Sequence, residues 1–71
     1  MEEGIKDIFN TVWKMYRTFQ ADHNMIEYNN QVKTLADKYS DNPALLSFCQ
    51  SQIIAFAPFI NQMMKDYKES A

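Results

Sequence analysis

Apolar residues recur along this chain at steps of three and four, the spacing that stacks side chains on one side of an α-helix. A first stretch carries Ile5, Ile8, Phe9, Val12, Tyr16 and Phe19, with Trp13 and Met15 on opposite edges of the stripe and Lys6, Asn10, Lys14 and Arg17 on the far face. A second carries Met25, Tyr28, Val32, Leu35 and Tyr39, with Ala36 beside them and Lys33, Thr34, Asp37 and Lys38 turned away. The third carries Leu46, Cys49, Ile53, Phe56, Ile60, Met63 and Tyr67, widened by Leu45, Ala57 and Met64 and flanked by Phe48 and Phe59. The continuous apolar run from Ile53 to Ile60 fits the wide face of this third helix better than a strand. The pattern predicts one all-α domain over residues 1–71, a small antiparallel three-helix bundle with helices at about 3–20, 25–39 and 43–68.

The boundaries have a chemistry of their own. Glu2 and Glu3 suit the positive end of a helix dipole. The first stripe loses register at Ala21–Asp22–His23–Asn24, and Asn24 followed by Glu27 fits a capping box, each side chain meeting the other residue's amide. Ser40–Asp41–Asn42–Pro43 sets three turn formers before a proline, and a residue preceding proline is pushed out of helical geometry. Asn42 is then the natural N-cap and Pro43 the first helical residue, where its missing N–H costs nothing.

The third helix has an apolar arc spanning about half its circumference, where a surface helix shows a stripe little over ~100° wide. One neighbour could not cover it. Pro58 lies inside, removing a hydrogen bond and crowding the carbonyl of Ile54, so a kink is expected there. At 1.5 Å per residue this helix would reach almost ~40 Å against ~27 and ~22 Å for the other two. Either a bend at Pro58 folds the overhang back or a second molecule covers it, and a homodimer is expected on a chain this short and apolar.

Composition narrows the classes. Seventy-one residues lie near the lower limit for a self-sufficient core, and the single cysteine, Cys49, excludes an internal disulfide. Its place on the apolar stripe reads as a small buried thiol, and a reducing, cytoplasmic home is the default. The acidic MEEGIKD opening lacks the basic start of a signal peptide. No charge occurs between Asp41 and Lys65, which raises the question of a membrane span. Ser47, Gln50, Ser51, Gln52, Asn61 and Gln62 interrupt that stretch, most of them on one helical face, which is amphipathic patterning.

Candidate chemistry is sparse, and no motif ties the chain to a family. One histidine, His23, sits in a turn beside Asp22, and two neighbouring residues do not make a metal site. A single glycine, Gly4, excludes a phosphate loop. Neither an enzyme nor a cofactor or metal is expected. What remains is apolar surface. Trp13, Met15, Ile26 and Ile54 fall at or outside stripe edges, Phe48 and Phe59 form an aromatic ridge on the third helix, and Met63 completes the candidate interface, Ile26 aside; aromatic residues and methionine are enriched in interface cores. The expectation is a non-enzymatic regulator or inhibitor that binds a protein, of a kind found in bacterial and phage genomes. The alternative is a nucleic-acid accessory using the Lys6, Lys14 and Arg17 face beside Trp13, although three cations on a chain of net charge −2 make a weak electrostatic footprint.

Overall fold

A computed structural model describes residues 2–70 as three helices, α1 (Glu2–Asp22), α2 (Met25–Lys38) and α3 (Pro43–Ser70), each packed against the other two. The chain is an all-α three-helix bundle. α1 and α2 run antiparallel, since the start of α1 meets the end of α2 through Asp7 and Lys38, and Phe19 meets Tyr28 edge-on at the other end. α1 and α3 therefore run parallel. At one end Leu45 lies so close over Gly4 that a β-carbon there would stand 2.6 Å from Leu45 Cδ1. At the other, the rings of His23 and Tyr67 stack at 4.3 Å.

Local chemistry accounts for both turns. Asn24 caps α2 by accepting from the Glu27 amide at 3.0 Å. The reciprocal half of the expected capping box is absent: Asp22 Oδ1 takes the Asn24 amide at 3.0 Å, and Glu27 accepts from Gln31 instead. Asp22 lies nearer to that amide, so the glutamate is left free for its own helix face. His23 ends α1 in the left-handed region (φ 52°), its N–H donating to Phe19 O at 2.7 Å, a termination usually given to glycine. Asn42 caps α3 as its sequence context implies, accepting from the Leu45 amide at 3.2 Å.

The core runs along one side of α1. Ile8, Val12, Met15 and Phe19 are buried there against Tyr28 and Leu35 of α2 and Leu45, Cys49 and Ile60 of α3. Three stripe residues depart from expectation, the first being Ile5, which is 42% exposed. Phe9 is 56% exposed, because it stands a turn-angle beyond the line through Val12 and Phe19 that points into the bundle. Tyr67 is half exposed and packs on His23 near the surface.

Pro58 interrupts nothing: α3 is helical from Pro43 to Ser70. Its 28 residues span about 42 Å at 1.5 Å each, and the molecule's long axis is 42 Å, so α3 runs the full length without folding back. The helix continues through Pro58 rather than stopping there, as its apolar spacing implies. Pro58 faces solvent, where a missing hydrogen bond to Ile54 is open to water. The chain is correspondingly drawn out, with a radius of gyration of 12.8 Å against about 11 Å for a compact domain of this length.

Candidate protein-binding face

The two flanks of α1 have different fates. The flank carrying Asp7, Thr11, Met15 and Thr18 turns toward α2. Asp7 anchors it, accepting from Lys38 Nζ at 2.9 Å and from the Tyr39 hydroxyl. The Tyr39 hydrogen bond, then that of Lys38, holds the Asp7 carboxyl below its ordinary value; the same contacts raise Tyr39 and Lys38 above theirs. This clasp is solvent-exposed and joins residues 31 and 32 positions apart.

The opposite flank, Ile5, Phe9 and Trp13, is covered by neither neighbour. These residues step by four, one above the other, and are 42%, 56% and 47% exposed. Tyr16 continues the line inward: its ring stacks on Trp13 at 5.6 Å and meets Phe56 of α3 at 5.1 Å. Phe59 lies one turn beyond Phe56 and is 60% exposed, and Phe48 and Met63 lie on the same side of α3, partly buried against the core. Because α1 and α3 run parallel, these two aromatic rows stand at matching heights. They form one uncharged face along the outer groove between the helices.

The six residues singled out from the sequence separate as follows. Trp13, Phe48, Phe59 and Met63 come together on this face. Met15 does not: it is 3% exposed, buried beneath α2, because α2 covers that edge of the α1 stripe and leaves the Trp13 edge open. Ile54 is 70% exposed on the other side of α3, beside Val32 and Ala36 of α2, and is no part of the aromatic face. Phe9 and Ile5 were missed. The available signal was the unbroken step of four through Ile5, Phe9 and Trp13, which drifts off the core line by one edge.

Lys6, Lys14 and Arg17 occupy the solvent side of α1, and Lys14 and Arg17 line a shallow open depression together with Trp13. Cys49 is buried in the core, where desolvation pushes its thiol up and disfavours the reactive thiolate. His23 lies between Phe19 and Tyr67, and the described residues contain no cluster of three metal-donor side chains. α3 is long and apolar enough to cross a membrane by length and composition, yet it also supplies Leu45, Cys49 and Ile60 to the core. Among known proteins, no family model, curated protein or solved structure matches this chain.

Proposed function

We propose that this chain is a protein-binding module, a regulator or inhibitor that acts by association and not by catalysis, through the α1/α3 aromatic face. One observation carries this reading. Phe9, Trp13 and Phe59 each leave about half or more of their surface in water on a single uncharged face. Phe and Trp side chains bury ~150–250 Å² each, so these three alone leave roughly 300 Å² of aromatic surface exposed. Patches of this size and kind are what interfaces are built from. The neighbouring stack of Trp13 on Tyr16 holds the indole in place before binding, which limits the entropy lost on association.

A photo-crosslinking residue placed at position 59 tests the reading in cells. Adducts with protein at position 59, absent from position 33 on the outer side of α2 and lost with Trp13→Ala, would support it. Equal adducts at both positions, or none at either, would overturn it. The buried, unpaired Cys49 thiol supports placement in a reducing cytoplasm. Flotation of the protein with lipid vesicles would contradict that placement and favour α3 as a membrane element.

A nucleic-acid role is the second reading, supported by Lys14 and Arg17, which line a shallow depression together with half-exposed Trp13 at the outer edge of the aromatic face. Its affinity for single-stranded oligonucleotides would fall steeply with salt and be lost in Lys14→Gln/Arg17→Gln, whereas protein binding through the aromatic face would change little.

A further inference from the structure

This inference rests on the aromatic face being a binding surface. We propose that its occupant is a second copy of this chain, related by a twofold axis along the bundle, so that α1 of each protomer lies parallel to α3 of its partner. Area is the first ground. A monomer of 8.4 kDa is expected to expose about 4,600 Å², whereas this chain exposes 5095 Å². The surplus, roughly 500 Å², is over half of the ~800 Å² that each partner contributes to a stable interface.

Self-complementarity is the second ground. In a twofold interface every residue meets the same surface it belongs to, so a charge near the axis confronts its own copy. From Ile5 to Tyr16 on α1 and from Phe48 to Met63 on α3, the face is built of Ile5, Phe9, Trp13, Phe48, Gln52 and Phe59 around the Tyr16–Phe56 pair, without a charge.

The edges choose between the two twofold arrangements. The outer edge of α1 is basic, with Lys6, Lys14 and Arg17. The only ion pair among the described residues is Lys38 with Asp7, so all three cations lack an acidic partner. The outer edge of α3 is acidic toward its end, where the Asp66 carboxylate accepts from the Gln62 amide at 2.9 Å and, among the described residues, has no cation beside it, and Glu69 follows one turn on. An antiparallel dimer sets α1 against α1 and brings Lys6 of one copy toward Arg17 of the other. A parallel dimer sets each basic edge along the partner's α3, uncharged from Pro43 to Met64, with Asp66 and Glu69 lying just beyond the level of Arg17. The second arrangement is the one without like-charge opposition.

Sedimentation equilibrium of the intact chain across a dilution series, with circular dichroism in parallel, tests this. A reversible dimer is expected, reduced to a helical monomer by Phe59→Asp. Arg17→Glu and Asp66→Lys should each weaken dimerisation about fivefold at low salt, and the double reversal should restore it to within about twofold. An antiparallel dimer gives the opposite sign for Arg17→Glu, because that change relieves the α1–α1 repulsion, and would overturn the proposed arrangement. A dimer indifferent to Phe59→Asp, or a monomer at every concentration, would overturn the second copy as occupant. Iodide quenching of Trp13 in such a monomer then separates the two claims: an accessible indole keeps the face open for a foreign partner, and a shielded one removes the binding face itself.

Discussion

Phe9 and Phe19 share a helix and a side chain, and they differ in burial alone, at 56% and 1% exposed. Replacing each by Ala should therefore separate what the core contributes from what the open face does. Truncating a fully buried phenylalanine costs about 3–5 kcal/mol. A 71-residue domain has a total stability of roughly 4–10 kcal/mol at 0.05–0.15 kcal/mol per residue, so Phe19→Ala should remove a third or more of it. Phe9 keeps a little under half its surface covered, about 90 Å² of a ~200 Å² side chain. At 25 cal/mol per Å² that burial is worth about 2 kcal/mol as an upper bound. Alanine's better helix propensity returns about 0.5 kcal/mol, leaving a net cost of at most about 1.5 kcal/mol. Urea unfolding followed by circular dichroism at low micromolar protein measures both variants with association suppressed. Equal costs would refute the assignment of Phe9 to the surface. Raising the protein concentration should widen the Phe9→Ala deficit alone, because only that variant loses association as well.

Other features lend themselves to simpler tests. Asn42→Ala removes the α3 cap and should cost about 1 kcal/mol, seen as a melting temperature lowered by about 4–8 °C. Pro58→Ala supplies an N–H to the free Ile54 carbonyl in an unbroken helix. It should raise stability by about 1–2 kcal/mol after the lost rigidity of the unfolded chain is discounted; destabilisation would mean that α3 needs a bend there. The Asp7 clasp sets two pH limits. Asp7 is held below 3.8, so its contribution is complete above that pH and is lost as pH falls through the lower folded value. Tyr39 and Lys38 are raised above 10.0 and 10.5, so their contribution is complete below pH 10 and is lost as pH climbs through the higher folded values. Asp7→Asn should flatten both limbs of a stability–pH profile.

Helix number, order and starting points were legible because local chemistry decides them. Asn42–Pro43 leaves no freedom at the start of α3, and Asn24 little at the start of α2. The core line through Ile8, Val12 and Phe19 was equally plain from spacing. Which edge of that line stays open was not. Trp13 and Met15 flank it symmetrically in sequence, and only the side on which α2 returns buries Met15 and leaves Trp13 in water. For the same reason Phe9 passed for a core residue and Ile54 for a member of the same surface as Phe59. The clasp of Asp7 with Lys38 and Tyr39 joins positions too distant for any local pattern to reveal. That α3 would run on through Pro58 was legible as well, because the apolar spacing holds on both sides of the proline.

Trp13 is the only tryptophan and stands in the middle of the aromatic face, so its emission reports on that face alone. Its emission maximum and iodide accessibility should be followed from nanomolar to high micromolar protein, with mass recorded on the same samples. In dilute solution the indole should be half accessible, and it should become shielded and blue-shifted in step with the doubling of mass. An indole already shielded when the chain is monomeric would contradict an open face. Doubling of mass with no change at Trp13 would show that the chain associates through some other surface.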